Sequence, residues 1–235
     1  MHLGYKKARD NKIIVLDIIG KNNENRNDIY DKKYAKMRCS MAKVIDIHDM
    51  NNKEIKYESA VGLYDDSMHY ILGKIVIPDE YNEDENVICT NGIHYFLNYE
   101  PAYNFEFFSL SDTIFRFGIK KGVIKLWFDN GRLRGIMTID NYVLNGKTEM
   151  WHMNGNISVS CNYVGGLRNG LFEKWYDNGM MEERFFAIED EYRGGKYEKW
   201  HNNGNIAELS LFNEYTKERM DYKWDLNGFL ILTSE

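Results

Sequence analysis

The chain is poor in proline, with two residues in 235, and has only three cysteines, Cys39, Cys89 and Cys161. An odd number of thiols at wide spacing is not the dense disulfide framework of a small secreted domain, so reduced thiols and a cytoplasmic location are expected. Long hydrophobic runs are missing. The apolar-rich stretch Ile13 to Ile19 is broken by Asp17, too short for a signal peptide, and no segment approaches the roughly 18 apolar residues of a membrane span. A basic block is missing as well: Lys plus Arg number 30 against 36 Asp plus Glu, for a net charge of −6. Both parts are acidic, with 14 basic against 18 acidic residues before residue 112 and 16 against 18 from there on. That excludes nucleic acid as a partner held by phosphate electrostatics and disfavours lipid binding by bulk charge.

Tryptophan is absent from the first half, and what stands in the second half is ordered. Each of the five Trp opens the same pentapeptide, W-x-x-N-G. The repeat residues are Trp127 and Gly131, Trp151 and Gly155, Trp175 and Gly179, Trp200 and Gly204, Trp224 and Gly228, at intervals of 24, 24, 25 and 24. Five residues before the Trp stand Gly122, Gly146, Gly170 and Gly195, with Arg219 in the last copy; two after the Gly stand Leu133, Ile157, Met181, Ile206 and Leu230. A period of this length means a repeat architecture. Asn-Gly between apolar stretches is a strong hairpin signal, and a type I′ turn, with positive φ at both residues, is the expected form. The alternation of Ile157, Val159, Cys161 and Tyr163 with Ser158, Ser160 and Asn162 marks a returning strand. One such hairpin cannot hold itself together in water. The expectation is therefore a single-layer antiparallel sheet of about five stacked hairpins, with the Trp column packed rather than presented as a ligand platform.

The pattern G-x-x-x-x-W-x-x-N-G-x-[LIM] resembles the divergent variant of the MORN repeat, which is also found in an antitoxin-like family. The best copies begin at Gly170 and Gly195. The resemblance implies a sheet of stacked hairpins that serves association and scaffolding without catalytic residues. Two departures stand out: the stretch from Glu182 to Arg193 is long and charged, which suggests a surface bulge, and the fifth copy lacks its Gly.

Residues 1 to about 110 carry both prolines, no Trp and five glycines. Strands are expected at Lys12 to Ile19, Met37 to Asp46, Tyr70 to Ile77 and Val87 to Leu97. Loops are expected at Asn22 to Asp31 and Asp79 to Asn86, and a helix at about Pro101 to Phe108, where proline suits a first turn. That predicts a small α+β domain over 1–113, a junction at Arg116 to Gly122 and the repeats over 114–235. This half resembles a domain of undefined activity that precedes MORN-like or other repeats in proteins of giant DNA viruses. The resemblance is carried by Gly4-Tyr5-Lys6-Lys7, Lys36-Met37-Arg38-Cys39, Ala42-Lys43-Val44, Tyr70 with Gly73, and Cys89-Thr90-Asn91-Gly92-Ile93-His94-Tyr95-Phe96.

For chemistry the candidates are few. Cys39, Cys89, His69 and His94 are the residue types that hold zinc, but no C-x-x-C or H-x-x-x-H spacing supports a site. His94, Tyr95 and Glu106 resemble the His, Tyr and Glu of ADP-ribosyl-transfer folds. No G-x-G-x-x-G, P-loop or G-x-S-x-G occurs. The reading is a non-enzymatic scaffold with no catalytic residue, cofactor or metal. Its partner is expected to be a protein, together with a second copy of the chain at the exposed edge of the last repeat. An ADP-ribosyl-transfer-like N-terminal enzyme, or repeats that hold a small ligand or lipid between aromatic residues, are the alternatives.

Overall fold

The computed structural model describes residues 1–105, 121–192, 195–213, 216 and 218–234. The chain forms two compact units: Met1–Phe108 with Leu126–Leu133, and Ser109–Lys125 with Arg134–Glu235. The domain boundary at 113/114, residues 116–120 of the expected junction, Glu106 and residues 106–108 of the expected helix lie outside the described residues.

The first unit is built on β1 (Leu3–Ala8), β2 (Lys12–Ile18), β3 (Lys36–Cys39), β4 (Ala42–Asp49), β5 (Ser59–Val61), β6 (His69–Ile71), β7 (Ile75–Val76) and β8 (Ile93–Phe96). Six of these make one antiparallel sheet in the order β3-β8-β1-β2-β4-β7, while β5 and β6 pair separately. Its core holds Ile14, Leu16, Met37, Ile47, Tyr70, Ile93 and Tyr95. The α+β expectation is wrong for this unit. Its only described helix, α1 (Tyr99–Tyr103), is a little over one turn, capped by Asn98, whose side chain accepts from the Glu100 N–H. The loops of this unit, those expected at 22–31 and 79–86 among them, hold themselves. Asn22, Asp31, Asp49, Asn52, Asp65, Asn82 and Asp84 each accept, at the side-chain oxygen, the N–H two residues on. Short polar side chains that complete such turns let a chain run irregularly without stranding its backbone donors.

Strand limits differ from expectation for local reasons. Met37 to Asp46 is two strands, β3 and β4, that pair with different neighbours. Tyr70 to Ile77 is split around Gly73, whose φ is +77°. Arg38 is fully buried. Its guanidinium donates to the carbonyls of Asn82, Asn91, Asp84 and Val87 and lies 4.8 Å from the Tyr81 ring centroid. One strand residue thus gathers the whole 79–92 loop.

The remaining strands are β9 (Lys121–Trp127), β10 (Leu133–Asp140), β11 (Val143–Trp151), β12 (Ile157–Val164), β13 (Leu167–Arg168), β14 (Gly170–Trp175), β15 (Met181–Ile188), β16 (Glu191–Tyr192), β17 (Gly195–Trp200), β18 (Ile206–Phe212), β19 (Arg219–Trp224) and β20 (Leu230–Ser234). They form one twelve-stranded sheet in the order β20-β19-β18-β17-β15-β14-β12-β11-β10-β9, with β13 on β12 and β16 on β15.

The W-x-x-N-G turns are not type I′. The five glycines have φ between +86° and +96°, while none of the five Asn is among the positive-φ residues. In every copy the Gly N–H donates to the carbonyl of the residue after Trp, as Gly179 does to Tyr176 at 3.0 Å. The register slips by one residue beside each of Trp151, Trp175, Trp200 and Trp224. This is a type I turn closed by a glycine bulge, so only the Gly must be left-handed. Consecutive positive-φ pairs sit elsewhere: at Asn141-Tyr142, Gly165-Gly166 and Glu189-Asp190, at the far ends of the repeat strands, and at Asp10-Asn11 between β1 and β2. The charged stretch after Glu182 is therefore a strand and a tight hairpin into β16, not a bulge.

Candidate functional site

Within the first unit the three chain segments 62–70, 78–80 and 89–94, with Lys6 of β1 and Lys36 of β3, line a cavity of about 720 Å³. Side chains alternate along β8, so His94 reaches this cavity while Tyr95 enters the core, where its hydroxyl donates to Glu24 at 2.7 Å. His94 and Tyr95 therefore do not converge on one ligand, as an ADP-ribosyl-transfer site requires. The His94 Nε2–H donates to the Ile88 carbonyl at 2.9 Å. Burial, and then the cations Lys36, Lys6 and Arg38, hold His94 down at about 4.

That shift has a sign. Between about pH 6.5 and 4 the unfolded chain takes up a proton that the folded one refuses, so stability falls across this window, by up to about 3 kcal/mol. Urea midpoints at pH 7 and 4.5 should fall further for the native protein than for His94→Gln, whose amide can donate to the same carbonyl. Equal falls would clear His94 of the effect.

Cys89 is exposed. Its thiol donates to the Asp129 carboxylate at 3.4 Å, and its sulfur accepts from the Lys36 ammonium at 3.6 Å. Cys39 is buried, and desolvation pushes its thiol up to about 12. His69 is on β6. The four suggested zinc ligands are not gathered: among the described residues no three His, Cys, Asp or Glu side chains stand close enough to hold a metal ion. The lysines were missed as site residues. Lys6 was legible only as a charge inside an otherwise sheet-like segment, and Lys36 lies 30 residues away in sequence.

The second surface is the repeat sheet. Directly opposed positions Met137, Thr148 and Cys161, Phe172 and Phe185, and Tyr197, Ser210 and Asp221 form its best-buried row. Phe172 and Phe185 stack at 4.8 Å, and Tyr197 tilts on Phe185 at 5.9 Å. The Trp column lies on the other face. Trp151, Trp175, Trp200 and Trp224 stand half-buried opposite Ile157, Met181, Ile206 and Leu230 of their own hairpins. Arg184, which forks onto Glu198 at 2.7 and 3.0 Å, lies 5.6 Å from the Trp200 ring centroid.

Successive hairpins are joined at the turns by side chains. The residue after Trp donates to the next Trp carbonyl: His152 to Trp175, Tyr176 to Trp200, and His201 to Trp224, at 2.8, 2.8 and 3.0 Å. The turn amides Asn154, Asn178 and Asn203 donate to the carbonyls of Asp177, Asn202 and Leu226. Each bond adds about 1 kcal/mol and fixes the register. His152, Tyr176 and His201 thus share one task, while the same place holds Phe128, which has no side-chain donor, in the first copy and Asp225 in the last.

Residues 193–214 match the MORN repeat variant. Residues 1–102 match a family of unknown function (DUF5758). No curated protein matches the chain. The MORN-variant match falls on β17 and β18, and the same turn geometry recurs in all five copies. Among the described residues no helix is long and apolar enough to cross a membrane.

Proposed function

We propose that the chain is a scaffold without catalytic activity, which uses the Trp-bearing face of its MORN-variant sheet to hold a protein partner in the cytoplasm. The observation that carries this is an exposed apolar row. Leu171 and Phe186 are opposed on β14 and β15 and are 49% and 46% exposed, and Leu211 and Met220 are opposed on β18 and β19, Met220 being 42% exposed. Lys196 stands opposite Leu211, and Glu173, Arg184 and Glu198 run alongside. An apolar strip with interleaved charges is the composition of a protein interface rather than of a solvated surface. A second copy of the chain at β20 is part of the same proposal, supported by the exposure of Phe229, Leu230 and Ile231 at that edge of the strand order and by the general tendency of uncovered edges to pair. The Asn-rich composition and the N-terminal resemblance support a large DNA virus as the source.

The test is recovery of a partner from cell lysate with the native protein and with Leu171→Glu/Phe186→Glu. A defined protein retained by the first and lost by the second is expected, and retention by both removes this face from the proposal. Light scattering on the purified chain should give a dimer at high micromolar concentration; a monomer removes the edge contact.

A further inference from the structure

The cavity of the first unit holds an amine in an unusual setting. Lys6 projects from β1, partly buried, and its Nζ donates one long bond, 3.3 Å, to the His94 carbonyl, with the Tyr70 ring centroid 5.8 Å away. Among the described residues Lys6 has no carboxylate within ion-pair distance, and neither has Lys36, the second ammonium of the lining. The acids that share the cavity are partly engaged elsewhere. The Asp65 carboxylate accepts from the Ser67 N–H and hydroxyl at 2.9 and 2.6 Å, and Glu80 accepts from the Asn91 amide; Asp79 completes the acidic lining. His94 is held uncharged at neutral pH, and desolvation raises Tyr70 so that its phenol keeps its proton. Desolvation and then Lys36 lower Lys6 to about 8, against weaker opposing contributions from Cys39 and Asp65.

We propose that Lys6 is a nucleophilic amine that captures small oxo acids in this cavity as reversible imines, its Nζ taking the carbonyl carbon and Lys36 facing the carboxylate. The step balances without a redox partner. The Lys6 ammonium first gives a proton to solvent. The amine lone pair then forms the C–N bond as the carbonyl π pair moves to oxygen, which takes one of the two nitrogen protons, and the carbinolamine loses its hydroxyl and the remaining nitrogen proton as water, leaving C=N. A cavity of about 720 Å³ is within the ordinary range for small-molecule sites. Tyr64, Met68, Tyr70 and Pro78 supply apolar wall, and Thr90 and Asn91 supply polar groups. This is a binding event, independent of whether the repeat sheet holds a protein.

The test uses the full chain, glyoxylate as the oxo acid and glycolaldehyde as a neutral carbonyl of similar size. Each is incubated at pH 7.5 with cyanoborohydride to fix imines, and adducts are located by peptide mass spectrometry. A shift from 10.5 to about 8 exposes far more unprotonated amine at this pH, so Lys6 should carry about tenfold or more the label of the average lysine. Labelling should reach half its maximum near pH 8, glyoxylate should exceed glycolaldehyde, and Lys6→Arg should remove the adduct with the circular dichroism spectrum unchanged. Label at Lys6 no higher than at other lysines, or a half-maximum near 10.5, overturns the proposal. Glycolaldehyde ahead of glyoxylate overturns the assignment to oxo acids.

Discussion

Gly131→Ala is expected to cost about 3–5 kcal/mol, whereas Gly228→Ala, at the same φ of +86°, should cost about 1–2 kcal/mol. The two glycines occupy the same place in the same turn, so the left-handed strain is common to both. What differs is the surroundings. A Cβ on Gly131 would overlap the Asp31 carbonyl and come within 2.9 Å of the Ala35 nitrogen, while one on Gly228 meets nothing within 4 Å. The first turn is docked on the 26–36 segment of its own unit. The Tyr30 and Asp31 N–H groups donate to the Asn130 carbonyl at 2.9 and 3.3 Å, and the Lys36 N–H and the Arg26 guanidinium donate to the Asp129 carbonyl at 3.0 and 2.7 Å. Tyr34 stacks on Trp127 at 4.8 Å with planes 4° apart. Urea unfolding, with hydrogen exchange at residues 26–36 to report on this unit, measures the difference. Equal losses in the two variants would mean that docking adds nothing at the first turn.

The second large effect is expected at Arg38. Arg38→Met keeps the length and apolar stem of the side chain but takes the guanidinium from the carbonyls of Asn82, Asp84, Val87 and Asn91; the Asp84 and Asn91 carbonyls keep the backbone N–H groups of Val87 and Asn82, and the other two lose their donor. An acceptor left unsatisfied costs about 1–3 kcal/mol when water cannot reach it, and the partly buried setting of this loop relieves part of that cost. A net loss of about 3–5 kcal/mol is expected, with faster proteolytic cleavage within 79–92. Arg38→Lys should fall between, because an ammonium keeps the charge but cannot fork onto four carbonyls. Unchanged proteolysis in Arg38→Met would show that the loop holds itself through its Asn82 and Asp84 turns alone.

The repeats were legible because one residue type recurs with one spacing: five Trp at period 24 or 25 specify a sheet whatever the other columns hold. The turn type was not legible, since Asn-Gly satisfies both a type I′ turn and a bulged type I turn, and the choice is made by the register of the flanking strands. The first unit was misread for a different reason. Its charged strand residues point inward: Lys7 is 3% exposed and donates to the Tyr103 and Phe105 carbonyls at 3.4 and 2.9 Å, and Arg38 is fully buried. Alternation rules assign such residues to solvent, which hid β1 altogether. The cavity joins residues 6, 36, 62–70, 78–80 and 89–94, and no local pattern brings these together. Asn side chains close loops in one unit and join hairpins in the other, roles that no local pattern announces.

The turn ladder runs one way. His152, Tyr176 and His201 each give a hydrogen to the Trp carbonyl of the repeat that follows. The fifth copy has Asp225 at that place, an acceptor that is spent on its own turn through the N–H groups of Asn227 and Phe229. At the first turn Arg26 gives the Asp129 carbonyl the hydrogen that Asn154 gives the equivalent Asp177 carbonyl. The hairpins are therefore words with a fixed order rather than interchangeable beads. A copy with His or Tyr after its Trp can be inserted between any two, whereas the Asp225 copy can follow another but brings no donor at that place for the Trp carbonyl of a successor.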